Sequence, residues 1–442
     1  MAENTVLHVG FDDTDSPKGM CTTFLAYKIV NSLHKSDVEF LDFPKLIRFN
    51  PNIPWKTRGN GAVSISIRTK NPIKIKNQIK NFISKYSDVK NGANPALVFY
   101  ENNSIPSEFT DFSNLALWQL VSRNQAKNFA KKKNLEFFYL GNGQGLVGSI
   151  GAIGYIFHDH TLELLSYRKR SKFGTQRILS SESVRIMQEQ TSPNTYNSFD
   201  TKKGRVLITP HGPDPVFYGV RGENISSLIQ ATKILKPAEQ LDGYMIFKSN
   251  QGTNDHLKNK LDSKTMKPYA SGTLTGIVSG IPEIINGGHV ILKIISNNHE
   301  YRCAIYKPTG ITNIASNLID GDKICVGGGV RKASKNFPQI LNLEFIDVLH
   351  LEKFLLESNP ICKNCSKKMK SKGKSQGFQC IRCGKQSSKK ILVQMPRKIQ
   401  PGLYIPTMSA HRHLTRPMQR MNLSNKNKKF DQTQSWFCVY EK

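Results

Sequence analysis

Three aspartates within four positions form the chemically most distinctive stretch of the chain. Asp12, Asp13 and Asp15 follow Val6–Phe11, an apolar run that predicts a buried strand, and the segment Gly19–Thr22 leads from them into a helical apolar pattern. Clustered carboxylates at the end of a strand are suited to hold Mg²⁺, which takes oxygen ligands and bridges nucleotide phosphates. The free N–H groups of a helix N-terminus attract phosphate. The stretch predicts a metal and phosphate site, and an aspartate-rich solvated turn is the alternative.

A second constellation is basic and rich in glycine. Lys56 and Arg58 stand beside Gly59, Asn60 and Gly61 in the segment NPNIPWKTRGNGAV. Glycines allow a backbone to approach a ligand closely, and two cations suit a polyphosphate. The later stretch GNGQGLVG has no Gly-Lys-Ser/Thr after it, so it is not a P-loop, and tight packing alone would explain its glycines. Together with the segments SYRKRSKFGTQR and VFYGVRGE, these residues indicate a site for an anionic ligand.

Four cysteines have the spacing of a structural zinc site. They form a C-x2-C pair, a gap of 14 residues and a second C-x2-C pair, at Cys362, Cys365, Cys380 and Cys383. Each pair directs two sulfurs to one point, and a hairpin between the pairs brings the points together. Two redox disulfides are the alternative, but nothing nearby resembles a thioredoxin-like unit. Four thiolates around Zn²⁺ leave no open position, so this site organises a fold and does not catalyse.

Alternating strand and helix patterns position the first two constellations. Up to about residue 250 the sequence predicts an α/β or α+β body. The strands are expected at Val6–Phe11, Ala62–Ile67, Ala96–Phe99, Thr161–Arg168 and Val206–Thr209, and the helices at Thr22–His34, Ile73–Tyr86, Leu115–Lys132 and Ile225–Ile234, with Thr22 or Thr23 as the cap of the first.

A different pattern begins near Ser271. Five strand-like runs, with the short helical stretch Thr312–Leu318 between the third and fourth, have the order of an OB barrel, although another small β-barrel would fit as well. The runs are Gly272–Val278, His289–Ile295, Tyr301–Tyr306, Lys323–Gly328 and Gln339–Val348. The predicted domains are residues 1–265 (a composite catalytic region), 270–350 (OB fold), 355–395 (zinc ribbon) and 396–442 (a basic tail, with disorder expected near Asn422–Lys429).

Charge and composition narrow the class of partner. The chain of 442 residues has 63 Lys and Arg against 33 Asp and Glu, a formal net charge of +30. The excess is concentrated at the end, since Lys353–Lys442 contains 20 Lys or Arg and 3 Asp or Glu. A concentrated excess favours binding to a polyanion, and nucleic acid is the commonest one. No apolar run is long enough to cross a bilayer and no secretory signal is visible, so we expect a cytoplasmic protein with no membrane partner.

The order of the motifs resembles that of one known family. GFDDTDSPKGMCTT, RFNPNIPWKTRGNGAV, FGTQR, YGVRGE, the OB-like run, the four-cysteine ribbon and QPGLY…RHLTRP follow one another as in the archaeal tRNA(Ile) 2-agmatinylcytidine synthetase family. The resemblance covers nearly the whole chain to about Met421. The segment Ser180–Lys203 matches poorly, and the tail from Leu423 has no recognised counterpart.

The resemblance implies both an activity and an architecture. Members of the family use ATP and agmatine to convert the wobble cytidine of the CAU-anticodon isoleucine tRNA to agmatidine, through phosphorylation of the cytosine C2 oxygen. Their architecture is a kinase-like domain interleaved with a ferredoxin-like domain, followed by OB and zinc-ribbon modules that hold the tRNA. Asp12, Asp13 and Asp15 correspond to the family's Mg²⁺-ATP motif, and Thr22 to its autophosphorylated threonine. Gly19, Lys56, Arg58 and Asn60, with Gly59 and Gly61, fall in the matching nucleotide-binding segments.

Two other functions remain compatible with the residues. One is a non-catalytic OB and zinc-ribbon RNA-binding protein, which gives no use for the aspartates beside Thr22. The other is a different ATP-dependent RNA-modifying enzyme on the same scaffold. The sequence does not identify the residues that contact agmatine, the tRNA elements that are recognised or the oligomeric state.

Overall fold

The computed structural model describes residues 4–426, 430–431 and 434–440. Contacts divide the chain into two compact units. The first unit comprises residues 1–273, 327–344 and 405–442, and the second comprises residues 274–326 and 345–404. No helix in the described part of the chain is long and apolar enough to cross a membrane.

The helices and strands of the described residues are numbered in chain order. The helices are α1 (Thr22–Leu33), α2 (Pro72–Tyr86), α3 (Ser107–Trp118), α4 (Arg123–Lys132), α5 (Leu146–Gly154), α6 (Ser181–Thr191), α7 (Ile225–Ile234) and α8 (Thr312–Ser316). The strands are β1 (Thr5–Asp12), β2 (Val38–Phe40), β3 (Lys45–Arg48), β4 (Gly61–Thr69), β5 (Ala96–Glu101), β6 (Glu136–Tyr139), β7 (Thr161–Arg168), β8 (Thr195–Tyr196), β9 (Phe199–Asp200), β10 (Arg205–Val206), β11 (Val216–Gly222), β12 (Leu241–Ser249), β13 (Ser271–Ile285), β14 (His289–Ser296), β15 (His299–Ile305), β16 (Lys323–Arg331), β17 (Ile340–His350), β18 (Phe354–Ser358), β19 (Lys370–Ser371), β20 (Phe378–Gln379), β21 (Gln386–Ser387), β22 (Ile391–Met395), β23 (Gly402–Tyr404) and β24 (Phe437–Val439).

One large sheet forms the frame of the first unit. Its strand order is β6-β5-β1-β4-β3-β12-β7-β11-β8, with β2 paired to β4 and β24 paired to β12. The β3–β12 pair is parallel and joins the part of the sheet that contains β1 to the part that contains β7. The other pairings of this sheet are antiparallel. This composite sheet and the helices on it confirm the predicted α+β body.

Alternation along β1 assigns its two faces. Leu7, Val9 and Phe11 point into the core that contains α1 and α2, and the intervening Gly10 faces α5 on the other side. Successive side chains of a strand point to opposite faces, so Asp12 lies on the α5 face as well. A Cβ at Gly10 would overlap the carbonyl of Ser149, which explains why this strand and helix approach so closely.

The second unit contains the barrel and the ribbon. Strands β15-β14-β13-β16-β17 follow one another in the sheet, and β15 also pairs with β17, which closes a five-stranded barrel with α8 between its third and fourth strands. This is the predicted OB order. Strands β18 and β22 form an antiparallel ladder, and the three short strands β19 to β21 lie between them in the chain.

Most predicted elements are present within a few residues, and three predictions are wrong. The helix expected over Leu115–Lys132 is two helices, because Ser122 caps α4 in a reciprocal capping box with Gln125. Helix α1 is preceded by Cys21, and no side chain caps it. In place of the strand expected at Val206–Thr209, the structure has the two-residue strand β10 (Arg205–Val206), which overlaps the expected range only at Val206.

The disorder predicted near Asn422–Lys429 is also wrong where the structure describes that segment. Asn425 is buried, and its backbone N–H donates to Asp159 Oδ1 at 2.8 Å. Further on, Trp436 is only 5% exposed and packs against Phe40 and Phe43, and β24 extends β12. Residues 427–429 lie outside the described residues. The chain after the ribbon therefore returns to the first unit and completes its core.

Candidate active site

The acidic turn lines a cavity of about 600 Å³ in the first unit. Asp12 is the last residue of β1, and its Oδ1 accepts the backbone N–H of Asp13 at 2.7 Å. Asp13 has a φ of 55°, a left-handed conformation that aspartate tolerates better than most residues. All three predicted aspartates, Asp12, Asp13 and Asp15, line this cavity.

Burial makes each of the three carboxyl groups harder to ionise, and neighbouring acids add to the effect. Burial raises the pKa of Asp12 well above its ordinary value, and the neighbouring Asp13 adds to the effect. Burial and the charge of Asp15 raise the pKa of Asp13 to about 7. Burial also raises the pKa of Asp15, although Arg58 opposes the shift. Several carboxylates crowded in a cavity are stabilised by a bound cation, because a cation favours their ionised form.

Arg58 is tied to the acidic turn. Its guanidinium lies 2.8 Å from Asp15 Oδ2 and 3.0 Å from Asp214 Oδ2. Its Nη2 also donates to the carbonyls of Ser16, Gly19 and Met20, at 3.2, 3.3 and 2.6 Å. These contacts make Arg58 a clamp on the turn, in addition to lining the cavity.

Asp214 is in turn held by a second arginine. Arg177, the last residue of FGTQR, lies 3.4 Å from Asp214 Oδ1 and donates to the carbonyls of Pro210, Gly212 and Asp214. Arg177 therefore holds residues 210–214, which line the cavity, in one conformation. Arg58 and Arg177, from two of the basic segments named in the sequence analysis, both contact Asp214 and so position this part of the cavity wall.

Thr22 lies at the start of α1 and lines the same cavity. Its side chain is buried, and its Oγ1 accepts a hydrogen bond from Thr14 Oγ1 at 3.1 Å. Cys21, Thr22 and Thr23 all contribute to the cavity wall. Because no side chain caps α1, its first N–H groups remain available to an anion in the cavity.

The basic glycine loop forms another part of the wall of this cavity. Lys56, Arg58, Gly59, Asn60 and Gly61 line the cavity, as predicted for one site. Gly19 does not line it, although its carbonyl binds Arg58. Asn60 has a φ of 47°, and its Nδ2 donates to the Asn50 carbonyl at 2.7 Å, so this residue shapes the loop.

The glycines of the loop leave room for the side chains of Arg48 and His413. A Cβ at Gly59 would overlap Arg48 Nη1 and approach His413 Nε2 to 2.9 Å, and a Cβ at Gly61 would lie 2.8 Å from Arg48 Nη1. The stretch GNGQGLVG has the same explanation, because a Cβ at Gly148 would overlap Asp12 Oδ2. Tight packing, the alternative considered for that stretch, places α5 directly against the first aspartate.

The sequence analysis missed a buried polar group in the cavity wall. Glu163 of β7 lies 3.5 Å from Arg48 Nη2 and 3.7 Å from Arg221 Nε, and Gln251 Nε2 donates to its carboxylate. His413 Nδ1 lies 2.9 Å from Gln251 Oε1. The signal for Glu163 was a single acid among the alternating apolar residues of Thr161–Arg168.

His413 enters this site from the C-terminal segment. Burial and the charges of Arg48 and Arg221 hold the pKa of His413 well below its usual range, so its ring is neutral. Nothing in spacing connects residue 413 to residue 163, because the segment reaches the site only through the tertiary fold. The motif RHLTRP contains His413, but the motif does not indicate where in the fold this residue lies.

The four ribbon cysteines lie together in the second unit. Their ligand atoms are all within 4.8 Å of one another, and Cys362 Sγ lies 3.5 Å from Cys383 Sγ. Backbone N–H groups of Cys383 and Arg382 lower the pKa of Cys380 to about 7, which favours a thiolate. Four converging sulfurs are the donor set of a structural Zn²⁺ site.

Comparison with known proteins places the whole chain in one family. The family models described as the TiaS TCKD domain, the TiaS FLD domain and the TiaS C-terminal zinc ribbon domain match residues 8–142, 143–256 and 359–399. The tRNA(Ile) 2-agmatinylcytidine synthetase TiaS of Cenarchaeum symbiosum is 46% identical over 437 residues, which are 99% of this chain and 97% of that protein.

Solved structures match over the same length. A crystal structure of a complex of TiaS with its isoleucine tRNA and ATP has 33% identity and a TM-score of 0.84, and covers 95% of this chain and 98% of that one. A complex with the tRNA, AMPCPP and agmatine has 31% identity and a TM-score of 0.82, with the same coverage. The chain therefore belongs to the tRNA(Ile) 2-agmatinylcytidine synthetase (TiaS) family.

Proposed function

We propose that this chain is an ATP-dependent synthetase that joins agmatine to the wobble cytidine of an isoleucine tRNA with a CAU anticodon. The observation that carries the proposal is one cavity lined by Asp12, Asp13, Asp15, Thr22 and Lys56, in a chain that aligns along its length with TiaS structures containing tRNA, ATP or its analogue, and agmatine. The aspartates and the basic loop are the proposed nucleotide-binding groups.

The acidic turn fits a divalent cation. Asp12, Asp13 and Asp15 offer hard oxygen donors in one cavity, and burial raises the pKa of each; a neighbouring aspartate adds to the effect, Asp13 on Asp12, Asp15 on Asp13 and Asp214 on Asp15. Mg²⁺ bound there would neutralise charge on the phosphates of ATP during phosphoryl transfer. Among the three, Asp15 is oriented by Arg58, so we assign to Arg58 the role of positioning this carboxylate.

The basic loop and the start of α1 hold the triphosphate in this proposal. Lys56 is exposed at the cavity mouth, where its charge can reach a phosphate, and the uncapped N–H groups of α1 lie on the opposite wall. Thr22 is placed among these groups, which suits the phosphoryl-accepting role that the family assigns to this threonine. Its Oγ1 accepts the hydrogen bond from Thr14, which restrains the position of this oxygen in the cavity wall.

The chemistry requires activation of a poor electrophile. The C2 carbonyl oxygen of cytosine takes a phosphoryl group from ATP, which converts that oxygen into a leaving group. The primary amine of agmatine then attacks C2, the C2–O bond breaks, phosphate departs with the oxygen, and the nitrogen loses a proton. An unpaired anticodon base costs little to turn out of its stack, so it can enter a cavity of this size.

The second unit supplies RNA-binding modules in this proposal. An OB barrel commonly binds oligonucleotides, and the zinc ribbon lies in the region where Lys and Arg are concentrated. Lys and Arg that neutralise phosphates supply affinity without reading sequence. Such a chain works where tRNA is present, so the cytoplasm is its proposed compartment.

The test is incubation with ATP, agmatine and a transcript of the CAU-anticodon tRNA, followed by nucleoside mass analysis. Agmatidine at the wobble position is the expected product, and its absence would refute the proposal. Asp13→Asn should abolish product while tRNA affinity is retained, which separates an enzyme from an RNA-binding protein. Asp111→Asn, an exposed aspartate on α3, is the matched control and should leave product formation unchanged.

A further inference from the structure

A second cavity of about 300 Å³ adjoins the first, and both lie in the first unit. It is bordered by the basic glycine loop and by residues 411–414 of the C-terminal segment. No carboxylate occurs among its described lining residues, whereas five cationic side chains do: Arg48, Lys56, Arg58, Arg221 and Arg412. The first cavity, by contrast, is lined by all three aspartates of the acidic turn.

Not all of this positive charge is free to bind a ligand. Arg58 is committed to Asp15 and Asp214, and both ring nitrogens of His411 have partners in Asn197 and Pro406. His413 is neutral because burial and adjacent arginines lower its pKa. The ligand-binding capacity therefore rests on the remaining arginines and Lys56.

Three of these remaining cations have incomplete or long contacts, whereas Arg221 Nη2 lies 3.0 Å from His413 Nδ1. Arg48 Nε is buried without a hydrogen-bond partner among the described residues, and its Nη2 is 3.5 Å from Glu163. Arg412 Nε is 3.4 Å from Glu344, and its Nη1 donates to Asn52 Oδ1 at 2.9 Å. Lys56 Nζ reaches only the Ile53 carbonyl, at 3.4 Å. Unsatisfied cationic donors around a cavity favour an anion with several oxygen atoms.

The lining residues of the two cavities favour different phosphate groups. A nucleoside triphosphate with its metal belongs beside the carboxylates of the first cavity, and the second cavity has none. Both cavities share part of their lining, so a nucleotide whose base enters the first can place its own backbone phosphate in the second. The shared residues are Arg48, Phe49, Lys56, Arg58, Gly59, Arg221 and His413, whereas Arg412 lines the second cavity and not the first. Trp55 is 61% exposed and lines the first cavity next to Lys56, which gives that base an aromatic surface to stack on.

We propose that the second cavity binds one of the two phosphodiesters that join the wobble cytidine to its neighbours in the tRNA. Arg412 and Arg48 are the principal donors, and Lys56 stands at the opening. This inference rests on the proposed function, since it assumes that the wobble nucleotide enters the first cavity. Its consequence is that the chain segment after the ribbon holds the substrate at the reaction site.

The test measures binding of the full-length enzyme to tRNA assembled by ligation with a neutral methylphosphonate on the 5′ or the 3′ side of the wobble cytidine. One of the two replacements should weaken binding to the unaltered enzyme about tenfold or more, because a hydrogen-bonded charge is lost. Arg412→Gln should weaken binding of unmodified tRNA similarly, lower the slope against salt by about 0.7–0.9, and make that same methylphosphonate nearly neutral. Arg412→Lys should recover part of the affinity.

Two controls distinguish the sources of phosphate and the possible failures. Arg185→Gln removes an exposed positive charge on α6 that lines neither cavity, and should leave the methylphosphonate effect intact. If Arg412→Gln weakens ATP binding and leaves the salt slope for tRNA unchanged, the cavity holds an ATP phosphate and the proposal is overturned. Independent, additive effects of Arg412→Gln and of both methylphosphonates would overturn it as well. Agmatidine formation by the unaltered enzyme is scored separately, so a failed proposed function would show as absent product.

Discussion

Replacing Arg58 with methionine should shift the pH dependence of Mg²⁺ binding at the acidic turn. The guanidinium lies 2.8 Å from Asp15 and 3.0 Å from Asp214 and lowers the pKa of both carboxyl groups, although burial keeps each above its ordinary value. An opposite charge at such distances lowers a carboxyl pKa by about 1–3 units. The Arg58 side chain is 29% exposed, so solvent screening reduces its effect on the two carboxyl groups.

The expected sign follows from proton competition. A carboxyl group must lose its proton to bind a cation, and the pKa of Asp13 is already about 7. Mg²⁺ affinity of the unaltered enzyme should therefore rise as the pH increases through about 7. With methionine at position 58 the pKa of Asp15 should rise further, so the increase in affinity should move to higher pH and binding should weaken most on the acidic side. The loss should be smaller at alkaline pH, where Asp15 is ionised in both proteins.

Thermal stability gives a second readout with its own sign. Asp13 has a raised pKa in the folded chain, so its contribution to stability is full below about pH 4 and is lost as the pH rises through about 7. Bound Mg²⁺ removes this penalty. The increase in melting temperature on adding Mg²⁺ should therefore be larger at alkaline than at acidic pH.

The assay is Mg²⁺ titration across this pH range, followed by melting temperature and by tRNA-dependent ATP turnover. Arg58→Lys is the informative partner, because it keeps one charge near Asp15 while losing the fork that also binds three carbonyls. It should retain the midpoint of the unaltered enzyme with weaker affinity throughout. An unchanged midpoint in Arg58→Met would refute the electrostatic role of Arg58 and leave only a role in loop conformation.

Three further changes test other parts of the structure. Removing zinc, or Cys380→Ser, should unfold the ribbon and weaken tRNA binding while ATP binding persists. Circular dichroism follows the unfolding and separate titrations follow the two ligands; an equal loss of ATP binding would contradict this prediction. Gly148→Ala should abolish turnover by displacing Asp12, whereas Gly19→Ala, which has open space around it, should remain active in the same turnover assay. Arg420→Met should lower the melting temperature by about 4–7 °C, because the buried Glu223 loses its arginine and Asp159 keeps Arg416 at 3.4 Å; a shift as small as that of the exposed Arg185→Met would show that the C-terminal segment is not anchored there.

Local patterns in the sequence predict much of this fold for identifiable reasons. The barrel strands and α1 carry strong hydrophobic periodicity, and eleven of the helix and strand predictions differ from the structure by no more than two residues at either end, including Thr22–His34 and Ile225–Ile234. The break between α3 and α4 was missed because its cause is a capping box at Ser122, which competes with a continuous apolar pattern. The four cysteines were found because their ligand spacing is local.

The site could be predicted only as far as its residues are close in sequence. The acidic turn and the basic glycine loop carry their chemistry in short segments, and the fold brings them to one cavity. The roles of Arg58 and Gly59 were harder to predict, since they depend on Asp214, Arg48 and His413 from distant segments. Asn425 and Trp436 were missed because a polar, lysine-rich composition predicts exposure unless tertiary partners are known.

Because residues 405–442 belong to the first unit, a C-terminal truncation cannot remove the ribbon alone. Arg420 is fully buried between Asp159 and Glu223, and His413 contacts the group around Glu163 at the cavity wall. A truncation that removes everything after the barrel would therefore take away part of the core of the first unit together with the ribbon. The loss of tRNA affinity in such a variant could not be assigned to the ribbon's charge. Replacing only residues 360–390, which contain the four cysteines, by a short turn keeps His413 and Arg420 in place, and it also keeps Arg397, whose guanidinium binds the buried Asp322 of the barrel.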